Sequence, residues 1–241
     1  MSDFSVSVGV CAHRDVKIGM WKSLWGLKDC PNPKINVLIL DGDALISRSR
    51  SRVATNFLDN TKDEMLMFID DDVEISTLDA TRMMWEVHKN KLDILGAAYV
   101  LKSHDKPTLA IMTKENKGEF ILGEGGIIKE VKYVSSGCMI IRREVFEKFI
   151  EKGISHKCKY SEMNSFYGFF REEEFFEDGK WKFLSEDWFF CQKALDLGFK
   201  VWLDTRVKTN HFGIFPYNWD YLALNGQKKQ LSSLDFRFDI S

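Results

Sequence analysis

The chain of 241 residues contains no apolar run approaching the roughly eighteen residues that cross a bilayer, and Met1-Ser2-Asp3-Phe4 lacks the basic start of a secretory signal. Both absences predict a cytoplasmic protein with no transmembrane segment. Neither sign of charge is in excess. Lys and Arg number 34 against 36 Asp and Glu, a formal net charge of -2, which excludes a global electrostatic footprint for nucleic acid or anionic membrane and leaves only local patches open. The five cysteines, Cys11, Cys30, Cys138, Cys158 and Cys191, are odd in number and widely spaced. That pattern suits neither a zinc site nor a disulfide framework and predicts reduced, mostly buried thiols. Internal repeats, linkers and low-complexity tracts are also missing.

What is present is an ordinary soluble composition, 44% hydrophobic and 29% charged, in a length that suits one large α/β domain. Aromatics at 13% supply a thick core or rings for sugar faces. Along the chain, residues 4–11 alternate as a first strand and break at His13-Arg14-Asp15, and an amphipathic segment follows from Val16 to Leu27. Ile35 to Leu40 reads as a buried parallel strand ending in Asp41-Gly42-Asp43. Arg48 to Leu58 reads as helix, Met65 to Ile69 as a short buried strand and Thr77 to Asn90 as a second helix with Ser76 or Thr77 as its cap. This alternation predicts a mostly parallel sheet flanked by helices, with ligands outside the carboxyl ends of its strands. Strands and loops are expected from Asp93 to Tyr133, a strand from Val134 to Ile141 and a helix from Arg142 to Lys152. Residues 153–179 read as a long irregular segment, either an acceptor-side lid or a solvated insertion with a hydrophobic anchor. A helix over 186–197, stopped by Gly198, precedes a last strand and the Asn210-His211-Phe212-Gly213 stretch.

Three groups of residues offer chemistry. Asp70-Asp71-Asp72 follows the buried run at a strand exit, where crowded carboxylates call for a neutralising cation, Mg²⁺ or Mn²⁺ by the hardness of the oxygens. Capping of the next helix is the plain alternative. Ser185-Glu186-Asp187 opens a helix, where the serine is a good cap, the acids complement the helix dipole, and Asp187 is placed to act as a general base. Arg48, Arg50 and Arg52 either counter a diphosphate or form a solvated basic face, and His211 is a structural histidine or a metal ligand.

In their order, these blocks resemble GT-A glycosyltransferases of the family-2-like group, including small bacterial and phage members. The first strand with His13-Arg14-Asp15, the Arg50-Ser51 helix start, Phe68-Ile69-Asp70-Asp71-Asp72, the run Ser136 to Phe146 and the stretch from Ser185 to His211 carry the resemblance across nearly the whole chain. It implies a GT-A (Rossmann-like) α/β fold in a single domain spanning 1–241, with a nucleotide-sugar-binding half at 1–100 and an acceptor and catalytic half at 101–241. It implies a metal-dependent transfer of a sugar from a nucleotide-sugar donor, a UDP-sugar, to a hydroxyl acceptor of unassigned class: a glycan, a lipid-linked acceptor, a protein or a modified DNA base. Asp70 and Asp72 would form the Asp-x-Asp (DXD) motif, Asp72 ligating Mn²⁺ or Mg²⁺ with His211, and Asp70 lying nearer the donor ribose. Asp41 and Asp43 compete for the nucleobase, and His13, Arg50 and Asp71 complete the donor-binding set. Arg50-Ser51 stands where the family carries Arg-Asn. Asp187 would be the base of an inverting reaction and Glu186 would place the acceptor; in a retaining one both would orient substrates. Two rivals are a Mg²⁺-dependent phosphatase, whose pattern expects Thr or Val where this chain has Glu74, and a non-catalytic nucleotide-sugar-binding module.

Overall fold

The computed structural model describes residues 3–13, 15–102, 111–113, 118–161, 164–213, 216–221 and 234–239. In chain order these form β1 (Ser5–Ala12), α1 (Ile18–Lys28), β2 (Lys34–Asp41), α2 (Ile46–Asn60), β3 (Met65–Ile69), β4 (Val73–Ile75), α3 (Thr77–Asn90) and β5 (Ile94–Ala98). There follow β6 (Ile111–Met112), β7 (Gly118–Gly123), β8 (Ile128–Val131), β9 (Tyr133–Val134), β10 (Cys138–Arg142), α4 (Arg143–Glu151), β11 (Lys157–Ser161) and β12 (Asn164–Tyr167). The last elements are β13 (Glu173–Glu177), β14 (Lys180–Leu184), α5 (Glu186–Asp196), β15 (Val201–Phe212), β16 (Pro216–Tyr217) and β17 (Leu234–Asp239).

The central sheet runs in the order β16-β15-β5-β10-β3-β1-β2. Strands β2, β1 and β3 are parallel, as are β5 and β15, while β10 runs antiparallel between β3 and β5. The sheet is therefore mostly parallel, and alternation of side chains gives it two apolar faces. On one face Val6, Val8 and Val10 of β1 meet Met20, Leu24 and Leu27 of α1 and Met83, Met84 and Val87 of α3. On the other, Leu66 and Phe68 of β3 meet Val53 and Phe57 of α2, Phe146 and Phe149 of α4, and Phe189 and Phe190 of α5. Helices cover both faces because each carries an apolar stripe at helical spacing.

Several boundaries differ from the sequence expectation. β2 is an edge strand, not a buried one, and leaves Val37 43% and Ile39 49% exposed. The expected strand from Val134 to Ile141 is two, β9 and β10, separated by a turn at Ser135–Gly137. Within 153–179 the described residues form hairpin β11–β12 and most of hairpin β13–β14, and Phe169 and Phe170 between them are core residues. Both the strand after Gly198 and His211 belong to one twelve-residue strand, β15, which shifts register between Asp204 and Lys208. The cysteines are free thiols, with Cys11, Cys138 and Cys191 buried and Cys158 exposed. Among the described residues no helix is long and apolar enough to cross a membrane.

Candidate functional site

Strand β3 is buried at every residue and delivers Asp70, Asp71 and Asp72 at its carboxyl end. Backbone hydrogen bonds hold this turn from three sides. The Asp70 N–H donates to the Gly137 carbonyl at 3.0 Å, the Lys17 N–H to the Asp71 carbonyl at 2.8 Å, and the Phe212 N–H to the Asp72 carbonyl at 2.8 Å. The carboxylates are thus fixed by the start of α1, the turn before β10 and the end of β15.

Asp72 faces His211, whose Nε2 lies 3.5 Å from the Asp72 Oδ1. The histidine is 7% exposed, and its Nδ1 is 2.9 Å from the Val100 carbonyl. A carbonyl can only accept, so the imidazole proton of the neutral ring sits on Nδ1 and Nε2 carries the lone pair. The Tyr99 hydroxyl lies 2.8 Å from that Nε2. Gly137 makes room for the tyrosine, because a Cβ there would come within 2.4 Å of its ring. The second Asp72 oxygen is paired with the Lys102 ammonium. Burial acts to raise the Asp72 pKa, but the neighbouring His211 and the Lys102 ammonium outweigh it and hold the carboxylate below its ordinary value. Asp71 moves the other way, raised by burial and by the Asp72 charge, although the His13 N–H donates to its Oδ2 at 3.4 Å. Tyr99 is pushed well above the usual phenol value by burial and then by Asp70 and Asp72.

A second cluster centres on Arg50, 4% exposed in α2. One guanidinium nitrogen donates to Asp70 Oδ1 at 2.6 Å and the other to Glu186 Oε1 at the start of α5. Burial opposes the Arg50 charge, and the two carboxylates more than restore it. Glu186 is raised by burial, relieved in part by Arg50 and then opposed by the neighbouring Asp187. Beside it, Asp187 uses only Oδ1 for its local bonds, accepting from the Ser185 hydroxyl and from the Trp188 N–H at 2.8 Å. Through Glu186 and Arg50 this helix start is tied to Asp70 at the end of β3.

The structure therefore brings Asp70, Asp72, His211, Arg50, Glu186 and Asp187 to one end of the sheet. The two candidates after β2 separate. Asp43 is 8% exposed and accepts from Arg48 at 2.6 and 2.8 Å, from Arg52 at 3.4 Å and from the Leu45 N–H at 3.1 Å, whereas Asp41 is exposed. The Arg48 hydrogen bonds, working against burial and aided by the Leu45 N–H, lower the Asp43 pKa to about 2. Arg48 and Arg52 both hold Asp43. Tyr99 and Lys102 went unread in the sequence, and the only signal was their position just past the apolar run of β5.

Asp43 carries a pH prediction. Its folded pKa lies below the unfolded one, so its stabilisation is complete above the ordinary carboxylate range and is lost as pH falls from about 4 through about 2. Asp43→Asn should cost about 1–3 kcal/mol at pH 7, because Arg48 and Arg52 lose a buried acceptor. Urea unfolding at pH 7 and below pH 3 should show the gap between variant and wild type narrowing in acid; a gap independent of pH would show that the ion pair is not the cause.

No family profile matches the chain, and no curated protein sequence does. Among solved structures, A197 from STIV is similar over 86% of this chain and 85% of its own, with TM-score 0.57 and 18% identity. S. aureus TarS 1–349 aligns over 83% of this chain and 58% of its own, with TM-score 0.46 and 16% identity. At 18% identity the likeness to A197 is one of fold. Together with the helix-flanked, mostly parallel sheet, it assigns the chain to the GT-A α/β fold.

Proposed function

We propose that the protein is a metal-dependent glycosyltransferase that moves a sugar from a nucleotide-sugar donor, a UDP-sugar, to a hydroxyl acceptor. The observation that carries this reading is the meeting of Asp72 and His211 at the carboxyl end of a GT-A sheet. With its proton held on Nδ1, the histidine keeps an electron pair on Nε2, which accepts from the Tyr99 hydroxyl at 2.8 Å and lies 3.5 Å from a carboxylate oxygen of Asp72. A cation that displaced the Tyr99 hydrogen bond would find both electron-pair donors within reach, and a hard carboxylate with an imidazole suits Mn²⁺ or Mg²⁺. Among the described residues no group of three or more His, Cys, Asp or Glu is set to hold a metal. Asp72 and His211 would therefore supply two ligands, leaving the remaining positions to donor phosphate and water.

A bound cation would supply Lewis-acid stabilisation of the departing diphosphate. The chain's own residues do the rest. Lys102, on the free side of Asp72, adds positive charge where the leaving group develops negative charge. Asp70, fixed by Arg50, presents its other oxygen to the donor ribose, and Asp41, the exposed member of its pair, is the one free to take the nucleobase imide proton. Asp187 Oδ2 makes no hydrogen bond among the described residues and is open to the acceptor hydroxyl. Both halves of the chain contribute, since Lys102 and His211 pair with Asp72 and Glu186 pairs with Arg50. A phosphatase reading explains Asp70 and Asp72 but not His211 beside them.

Calorimetric titration with UDP tests this directly. Affinity should rise at least about tenfold on adding Mn²⁺, and Asp72→Asn should lose that gain while melting at a similar temperature. Equal UDP affinity in Mn²⁺ and in chelator would overturn the metal assignment.

A further inference from the structure

Helix α1 is apolar on two sides. Met20, Leu24 and Leu27 face the core, while Ile18, Trp21 and Trp25 are 69%, 49% and 69% exposed. At about 100° per residue, the exposed arc runs in the order Lys28, Trp21, Trp25, Ile18, Lys22 and spans about 120°. An apolar strip holding two tryptophans is thus flanked by a lysine on each edge, and Lys17 at the N-cap continues the Lys28 edge at the opposite end of the helix. The helix contains no acid, and among the described residues none of the three lysines is paired with one; Asp15 and Asp29 lie beyond its ends. The Lys28 ammonium sits over the Trp25 ring, 5.1 Å from its centroid, a cation–π contact at the margin of the strip. Leu78, 73% exposed, follows Thr77, the residue against which Gly26 of α1 packs.

Single exposed apolar residues are ordinary, but a continuous strip of this kind marks a contact surface. Tryptophan at the centre and lysine at the margins is the pattern of a helix lying in the headgroup region of a bilayer. We infer that the outer face of α1 docks the protein on an anionic lipid surface. Self-association through the same strip is disfavoured, because a two-fold contact would set each copy's lysines against the other's. Docking stands independently of the transfer reading. Under that reading, it sets the crevice at the lipid boundary, since the Lys17 N–H is bonded to the Asp71 carbonyl, and it favours an acceptor carried on a lipid.

Vesicle flotation tests the docking without any turnover. The intact protein should float with vesicles containing about one third phosphatidylglycerol, and about tenfold less with pure phosphatidylcholine or in high salt. Trp21→Ala/Trp25→Ala, and separately Lys22→Glu/Lys28→Glu, should each reduce flotation about tenfold without shifting the melting temperature, as these side chains are exposed. Failure to float, equal flotation on neutral vesicles, or undiminished flotation of the tryptophan variant would overturn the proposal. So would light scattering that shows a dimer abolished by Trp21→Ala/Trp25→Ala, which would assign the strip to a second copy.

Discussion

Arg50→Met should lower the unfolding free energy by about 3–5 kcal/mol, the usual consequence of removing one partner from a buried ion pair. Arg50 bridges Asp70 and Glu186, which come from β3 and α5 and stand 21% and 14% exposed at the side chain. Methionine fills much of the arginine's volume, so the loss reports the charge and not a cavity. Two carboxylates would face each other with their counter-ion gone, and one would have to take up a proton. Urea unfolding with an unchanged m-value would measure the effect. Combining Arg50→Met with Asp70→Asn and Glu186→Gln should recover part of the stability, since no uncompensated charge then remains. A single-variant loss below about 1 kcal/mol would mean that solvent screens the bridge and that it does not define the crevice.

That bridge also marks the limit of what the residues alone disclose. Strand β3 and its three aspartates were legible because an apolar run followed abruptly by acids can occupy few places in an α/β sheet. α3 was legible to the residue, with Ser76 accepting the Asp79 N–H as its cap. The edge position of β2 is not legible in the sequence, since an apolar run does not say whether a strand has one neighbour or two. Residues 153–179 read as irregular in the sequence, although Asp178-Gly179 is a clear turn signal for the hairpin β13–β14. Both residues have positive φ, 54° and 75°, as a tight two-residue hairpin turn requires. The sequence offers Arg50 as a donor-binding residue but does not disclose that it is joined to two others of the candidate set, Asp70 and Glu186. Tyr99 and Lys102 were invisible because their partners, His211 and Asp72, are distant in sequence, and only the sheet order brings β5 between β10 and β15.

Asp187→Asn should leave UDP affinity and stability nearly unchanged and lower the transfer rate by roughly a hundredfold or more if the reaction inverts. The geometry makes this substitution unusually clean. Oδ1 of Asp187 accepts the Ser185 hydroxyl and the Trp188 N–H, and asparagine retains an oxygen to accept both. Only the other oxygen changes, from a basic carboxylate oxygen to an amide nitrogen that cannot take a proton. Glu186 is a weaker candidate for that role, because Arg50 holds its charge and its substitution would disturb the Asp70 bridge as well. Glu186→Gln should therefore alter stability together with rate, whereas Asp187→Asn should alter rate alone. If Asp187→Asn kept most of the transfer rate, the general-base assignment would fall. The anomeric configuration of the product, read by NMR, would then separate a retaining reaction, in which both carboxylates merely orient substrates, from an inverting one that uses another base.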